Sequence, residues 1–115
     1  MRPARARRPV RCGMVLRVRP ERLEEYKQHH AAVWPEVLAA LARHSVRNYS
    51  IYHRDGVLFS YFEYWGDDFT ADMKAMAADP AMRRWWALME PMQTPYPDRL
   101  PGEWWSRMEE VFHHD

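Results

Sequence analysis

The chain of 115 residues has little cysteine, little glycine and no long apolar run. Its single cysteine, Cys12, excludes an internal disulfide and a cysteine-ligated metal site. Neither a glycine-rich phosphate loop nor the Gly-x-Ser-x-Gly motif of hydrolases nor the His-Glu-x-x-His motif of zinc peptidases occurs. The apolar run Met14-Val15-Leu16 is too short for a signal peptide or a membrane span, and no other apolar stretch reaches membrane-spanning length. We therefore expect a cytoplasmic protein that has no membrane partner.

Charge is nearly balanced over the whole chain, but it is unevenly distributed. Five of the 17 basic residues lie within the first twelve positions, at Arg2, Arg5, Arg7, Arg8 and Arg11. Without them, 12 basic residues face 16 acidic ones, which argues against a nucleic-acid partner for the body of the protein. The basic start is a nucleic-acid arm, a targeting segment or a disordered extension. We interpret residues 1–10 as a disordered Arg/Pro-rich extension and residues 11–115 as one domain.

Hydrophobic periodicity, prolines and turn signals divide the domain into strands and helices. Asp55-Gly56 lies between two apolar runs, which is a strong hairpin signal. The predicted elements are, in order, strand Arg11–Val18, helix Pro20–Trp34, helix Pro35–His44, strand Val46–His53, strand Val57–Trp65, helix Phe69–Ala77, helix Pro80–Met89 and strand Trp104–His113. This order predicts an α+β protein with the βαββαβ arrangement of the ferredoxin-like fold.

The two central strands carry large apolar groups on both faces. In the second strand Val46, Asn48 and Ser50 are predicted to alternate with Arg47, Tyr49 and Ile51, and the third strand presents aromatic rings to either side. A two-layer domain covers only one face of its sheet, so we expect a homodimer in which two sheets pack together. The alternative is that exposed tyrosines simply tolerate water.

The first predicted helix carries an unusual stripe. Tyr26, His30 and Trp34 follow one another at spacings of four, so they share one face. This face is either ordinary core, with His30 satisfied by a carbonyl group, or the edge of a cleft in which His30 exchanges protons. His29 lies about 100° around the helix and is predicted to be solvated.

Two tryptophan pairs also stand out. Trp85 and Trp86 are adjacent on a helix, so that one is expected to pack inside while the other lines a cavity, an arrangement that suits the apolar face of a sugar. Simple core packing is the alternative for each of them. Trp104 and Trp105 are predicted to lie in a strand with one ring on each side, which favours a structural role.

Several segments together resemble the L-rhamnose mutarotase family. They are Tyr26…His30…Val33-Trp34-Pro35-Glu36, Asn48-Tyr49-Ser50-Ile51-Tyr52, Leu58-Phe59-Ser60-Tyr61-Phe62-Glu63, Trp85-Trp86 and Glu110-Val111-Phe112-His113. The resemblance implies a dimeric α+β barrel and an isomerase that interconverts the α and β anomers of L-rhamnose without metal or cofactor. It implies that His30 is the proton-donating catalytic residue and that Tyr26, Tyr49, Trp85 and Trp86 bind the sugar. Ala31-Ala32 and His44-Ser45 depart from the family pattern, and the basic start has no counterpart in it.

Mutarotation requires only proton transfers, and a histidine with an ordinary pKa near 6.5 suits the donor's part. The opposing base remains open between a tyrosine hydroxyl and a water molecule. Other functions stay in competition: mutarotation of another 6-deoxy sugar such as L-fucose, non-catalytic sugar binding by a dimer, and a monooxygenase or haem-binding protein with His30 as iron ligand.

Overall fold

A curled antiparallel sheet with four α-helices forms the frame of the molecule, which we describe from a computed structural model covering residues 8–115. The elements are β1 Val10–Val18, a 3₁₀ turn Pro20–Arg22, α1 Leu23–Ala31, α2 Pro35–Arg43, β2 Val46–Arg54, β3 Val57–Tyr64, α3 Phe69–Ala78, α4 Pro80–Met89, a 3₁₀ turn Glu90–Met92, β4 Gln93–Thr94 and β5 Ser106–Arg107. The strands are ordered β2-β3-β1-β4, and β5 also pairs with β1. This α+β half-barrel has the predicted ferredoxin-like strand order.

The two helices that precede β4 begin where the sequence predicts. The Asp68 carboxylate accepts a hydrogen bond from the Ala71 amide at 3.1 Å, and the Asp79 carboxylate accepts one from the Ala81 amide at 2.9 Å. Such N-caps satisfy amide groups that have no partner within the helix. Pro80 then occupies the first helical position, where its missing amide proton costs nothing.

The first predicted helix is shorter than expected. Helix α1 ends at Ala31, and Trp34 has extended backbone angles of −59° and 135° instead of helical ones. The ring of Pro35 disfavours a helical conformation for the residue before it, so the chain turns before α2 begins. The prediction of one continuous helix from Pro20 to Trp34 was therefore wrong at both ends, since a 3₁₀ turn also precedes Leu23.

Strand β2 does not keep the alternation that the sequence suggests. Its register with β3 shifts by one residue between Arg47 and Ser50, which is the mark of a β-bulge. Asn48 lies within this bulge with a φ of 52°. Because of the bulge, Val46 and Ile51 both pack against the core although they are five positions apart. The predicted placement of these two residues on opposite faces was wrong.

The last predicted strand is also much shorter than expected. Only Ser106–Arg107 pairs with β1, while Gln93–Thr94 supplies the neighbouring pairs with Arg17 and Val18. Arg107–Glu110 contains weak strand formers, and the chain leaves the sheet after one further hydrogen bond, from the Met108 amide to the Gly13 carbonyl oxygen at 2.8 Å. Val111 and Phe112 are consequently 90% and 82% exposed.

The main core lies between the helices and the inner face of the sheet. It combines Val18 and Leu58 with helical side chains, namely Tyr26, Val37, Ala40, Met82, Trp85 and Met89. A second cluster contains Cys12, Val46, Phe62 and Tyr64. Strand β3 contributes every second residue to this interior, which fits a sheet with one packed face.

The predicted N-terminal extension falls mainly on residues 1–7, which lie outside the described residues, so their disorder stays a prediction. Its boundary at residue 10 was wrong, because Val10 begins β1 and pairs with Tyr64. Within residues 8–115, no helix is both long and apolar enough to cross a membrane.

Candidate active site

An open cavity of about 830 Å³ lies against the inner face of the sheet. Its size falls within the usual range for small-molecule sites. All five site residues predicted from the sequence line it, and they come from three separate elements: Tyr26 and His30 from α1, Tyr49 from β2, and Trp85 and Trp86 from α4. The fold thus brings together residues that are up to 60 positions apart in the sequence.

His30 is held from its own helix. Its Nδ1 atom lies 2.8 Å from the backbone carbonyl oxygen of Tyr26, one turn earlier. A carbonyl oxygen only accepts hydrogen bonds, so Nδ1 carries the proton and Nε2 is left to exchange a proton with a ligand. The carbonyl contact expected for a core histidine is therefore present, and the residue nevertheless lines the cavity.

The His30 imidazole is surrounded by rings on two sides. Its centroid lies 4.3 Å from that of the Tyr26 ring and 5.5 Å from that of the Trp85 indole. Trp34 also packs against Trp85, with 5.1 Å between the ring centroids, although it lies outside α1. Burial among these rings disfavours the charged imidazolium, so the pKa of His30 is lowered from its ordinary value.

The surroundings of the Tyr26 and Tyr49 hydroxyls favour their protonated form, which does not suit a base. Burial raises the pKa of Tyr26 to about 12, and burial with the nearby Tyr26 also raises the pKa of Tyr49. Both hydroxyls consequently keep their protons at neutral pH. They are suited to donate hydrogen bonds to a ligand, and they are poorly suited to remove a proton from one.

The adjacent tryptophans differ in burial. Trp85 is 6% exposed and belongs to the main core, whereas Trp86 is half-buried at its edge. The predicted division into an inward and an outward ring fits these positions, with Trp85 as the inward one. Both rings nevertheless reach the cavity, because Trp85 lies at the boundary between the core and the site.

Other side chains that line or support the cavity were missed by the sequence reasoning. Trp104 and Trp105 lie in a bend before β5 instead of a strand, and both line the cavity. The expectation that they are structural residues on opposite faces of a strand was therefore wrong in its geometry. Glu90 also lines the cavity, and Gln93 supports it from behind. The pairing of two tryptophans was a visible signal, whereas Glu90 and Gln93 had none.

His29 lies near the site but outside the cavity. The ring of His29 lies 6.4 Å from Trp85, its Nε2 lies 3.8 Å from a Glu25 oxygen, and the residue is not among those lining the cavity. Over the part of the chain that the structure describes, no group of three or more His, Cys, Asp or Glu side chains is arranged to hold a metal ion.

Comparisons with known proteins agree with one another. The family model described as L-rhamnose mutarotase matches residues 11–114. A protein of Ligilactobacillus salivarius named L-rhamnose mutarotase is 37% identical over 111 residues, which cover 92% of this chain and 98% of that protein. One of the same name from Oceanobacillus iheyensis is 32% identical over 107 residues, covering 91% and 98%.

A solved structure of a protein with the same name also matches this chain. The crystal structure of an L-rhamnose mutarotase from Formosa agariphila superimposes with a TM-score of 0.72 at 25% sequence identity, covering 92% of this chain and 99% of that one. The matching family model spans almost the whole described chain and includes every residue of the aromatic cavity. The chain belongs to the L-rhamnose mutarotase family, whose members are enzymes that interconvert sugar anomers.

Proposed function

We propose that this protein is an isomerase that interconverts the α and β anomers of L-rhamnose by cofactor-free general acid–base catalysis. The observation that carries the proposal is the position of His30, held through Nδ1 by the Tyr26 carbonyl at the wall of an aromatic cavity. Opening and closing the hemiacetal ring requires proton transfer but no redox step or phosphate, so a proton-exchanging group together with water in a cavity of this size supplies the catalysis it needs.

The proposed reaction begins with ring opening. The imidazolium of His30 donates its Nε2 proton to the ring oxygen while the bond between that oxygen and C1 breaks, and the anomeric hydroxyl loses its proton to water. The C1–C2 bond then rotates, and the C5 hydroxyl oxygen closes on the other face of C1. Its proton returns to His30 while the former carbonyl oxygen regains a proton from water. The ring oxygen stays attached to C5 throughout, so one fixed donor serves both anomers.

The surroundings of His30 support its part as an acid. Desolvation lowers its pKa, which makes the imidazolium a stronger acid toward a weakly basic ring oxygen, at the expense of the fraction protonated at neutral pH. Between the two bases left open by the sequence, water is favoured. The raised pKa of Tyr26, about 12, and the raised pKa of Tyr49 both argue against a tyrosinate at neutral pH.

The aromatic lining supports a sugar as the ligand. Trp86 and Tyr49 present ring surface against which the apolar face of a pyranose packs, and Tyr26 adds a hydroxyl for hydrogen bonding. We assign Tyr26, Tyr49, Trp85 and Trp86 to sugar binding on this basis.

A homodimer is part of the proposal. Tyr52 and Phe59 form a cross-strand pair on β2 and β3 and are 66% and 41% exposed. Val111 and Phe112 in the C-terminal segment add further exposed apolar surface. A second copy packed against the outer face of the sheet would remove these side chains from water and complete a barrel of two half-barrels.

The setting of the reaction follows from similar arguments. A lone, buried free thiol at Cys12 suits the reducing cytoplasm, and the acidic body of residues 11–115 suits a protein without a nucleic-acid partner. We treat that range, together with Val10 at the start of β1, as a single domain and the residues before Val10 as an extension outside it.

The test is magnetisation-transfer NMR on the purified full chain with a panel of sugars. We expect faster α/β exchange for L-rhamnose than for L-fucose, with D-glucose as a control at the uncatalysed rate. Faster exchange for L-fucose would reassign the substrate within the same reaction. Binding of L-rhamnose without any faster exchange would establish a sugar-binding protein instead, and a red-brown colour with a haem absorption band would favour the haem reading.

A further inference from the structure

Behind the cavity lies a buried chain of hydrogen bonds whose direction is fixed by chemistry. The indole Nε1 of Trp104 is 2.9 Å from Oε1 of Gln93, and Nε2 of Gln93 is 3.2 Å from the hydroxyl oxygen of Tyr26. Gln93 is 5% exposed and does not line the cavity, whereas its two partners do. It can therefore influence a bound sugar only through them.

The first link sets the orientation of the amide. An indole N–H only donates, so the atom of Gln93 that faces Trp104 has to be the carbonyl oxygen. The NH₂ group of Gln93 then faces Tyr26, and the Tyr26 hydroxyl has to accept its hydrogen bond. Without Trp104, the amide would be free to turn round and accept from the tyrosine instead.

The second link sets the direction of the hydroxyl proton. A tyrosine hydroxyl has one hydrogen, and that hydrogen cannot point at a group that is already donating to the same oxygen. Within residues 8–115, the Tyr26 hydroxyl has no hydrogen-bond partner besides Gln93. Since Tyr26 lines the cavity, the proton remains available to a ligand there.

Gln93 is itself held firmly enough to act in this way. It pairs with Val18 in the sheet, and the preceding carbonyl, that of Met92, accepts a hydrogen bond from the Arg19 amide at 2.8 Å. The backbone of the glutamine is thereby fixed against β1. Its buried side-chain amide is held at both ends, by the hydrogen bonds to Tyr26 and Trp104.

From this geometry we propose that Gln93 is a positioning residue that makes Tyr26 a hydrogen-bond donor to an acceptor oxygen of the bound sugar, with Trp104 fixing the direction. This rests on the proposed function for the identity of the ligand. The role is separate from that of His30, because His30 is held by the backbone carbonyl of Tyr26 and not by its hydroxyl.

The decisive variant is Gln93→Glu, which keeps the shape and reverses one link. An ionised carboxylate only accepts hydrogen bonds, so it accepts one from the Trp104 indole and one from the Tyr26 hydroxyl. The Tyr26 hydroxyl hydrogen then points at the new carboxylate and is no longer directed at the sugar. We expect the Kd for L-rhamnose, from tryptophan fluorescence titration, to rise by about tenfold, the ratio typical of one lost hydrogen bond. The exchange rate at saturating sugar should fall by a smaller factor.

The matched control is the same substitution in a Tyr26→Phe background. If Gln93 acts through the hydroxyl, Gln93→Glu has no further effect on Kd once the hydroxyl is gone. If it serves only to hold the fold, the two effects multiply, and the proposal is overturned. Should the charged variant fail to fold, Gln93→Met in both backgrounds makes the same comparison, and its effect on Kd must vanish with Tyr26→Phe.

The wild-type measurements separate this proposal from the function on which it rests. If the wild type binds L-rhamnose but does not accelerate exchange, the proposed reaction fails while the Kd comparison still decides the part played by Gln93. If Gln93→Glu leaves Kd unchanged in an active, folded protein, the positioning role is wrong and the function stands. If the wild type does not bind L-rhamnose, both are wrong.

Discussion

The imidazole of His30 meets the indole of Trp85 edge to face, with 5.5 Å between the ring centroids and 74° between the ring planes. Trp85 belongs to the main core, so the candidate catalytic group is packed directly against that core. This contact explains why the two tryptophans of the pair are expected to behave differently when they are replaced.

Trp85→Ala should destabilise the protein by about 3–5 kcal/mol, as truncation of a core tryptophan usually does, and it should also loosen His30. Trp86→Ala removes a half-buried ring, so we expect a much smaller loss of stability and a weaker affinity for sugar. Thermal unfolding together with fluorescence titration distinguishes the two variants. Equal losses of stability with unchanged affinity for both would mean that the pair is core and that the sugar binds elsewhere.

The pH profile should reflect the environment of His30. Desolvation lowers its pKa, so the midpoint should lie below the ordinary value near 6.5. Because the proposed active form is the imidazolium, kcat/KM should fall as the pH rises through that midpoint. Anomer exchange measured from acid to neutral pH tests the sign. A rate that rises through the same midpoint would show that neutral His30 acts as a base.

The bulge in β2 should depend on the backbone of Asn48, whose φ is 52°. A β-branched side chain is strained there, so Asn48→Val should cost about 1–2 kcal/mol and displace the neighbouring Tyr49. Asn48→Gly accepts the same backbone and loses only the 2.7 Å contact of the side-chain amide with Glu63. Melting temperature and sugar affinity should therefore be better preserved in the glycine variant, and the reverse order would argue against backbone strain.

Short-range signals in the sequence were sufficient to predict several of the secondary-structure elements. The Asp55-Gly56 turn, the Asp68 and Asp79 caps and Pro80 each act within a few residues, so the hairpin and the last two helices could be predicted. The shared face of Tyr26 and His30 likewise followed from helical spacing.

What could not be predicted depends on partners that are distant in sequence or on single-residue irregularities. One extra residue in β2 reverses the side-chain alternation, and an asparagine at position 48 is not enough to predict a β-bulge from the sequence. Gln93 and Tyr26 are 67 positions apart, and their contact exists only because β4 pairs with β1. The final strand begins late because Gln93–Thr94 takes the pairing positions at Arg17 and Val18, which the sequence did not indicate.

The exposed pair of Tyr52 and Phe59 should mediate dimer formation. We expect the wild type to sediment as a dimer and Phe59→Arg to shift it toward monomer, since a charge placed between two sheets is costly to bury. Leu100→Arg, at a residue that is 65% exposed and lies outside the sheet, is the matched control and should leave the dimer intact. A monomeric wild type at micromolar concentration would contradict the homodimer.

The central claim is that His30 transfers the proton, and adjacent histidines provide the most direct test of it. We expect His30→Ala to lower the L-rhamnose anomer exchange rate by about 100-fold or more, the range typical of a lost acid–base group. His29→Ala should leave the rate near that of the wild type, because His29 faces Glu25 and does not line the cavity. Magnetisation-transfer NMR on both folded variants gives the answer. Equal effects of the two substitutions, or full activity of His30→Ala, would contradict this account.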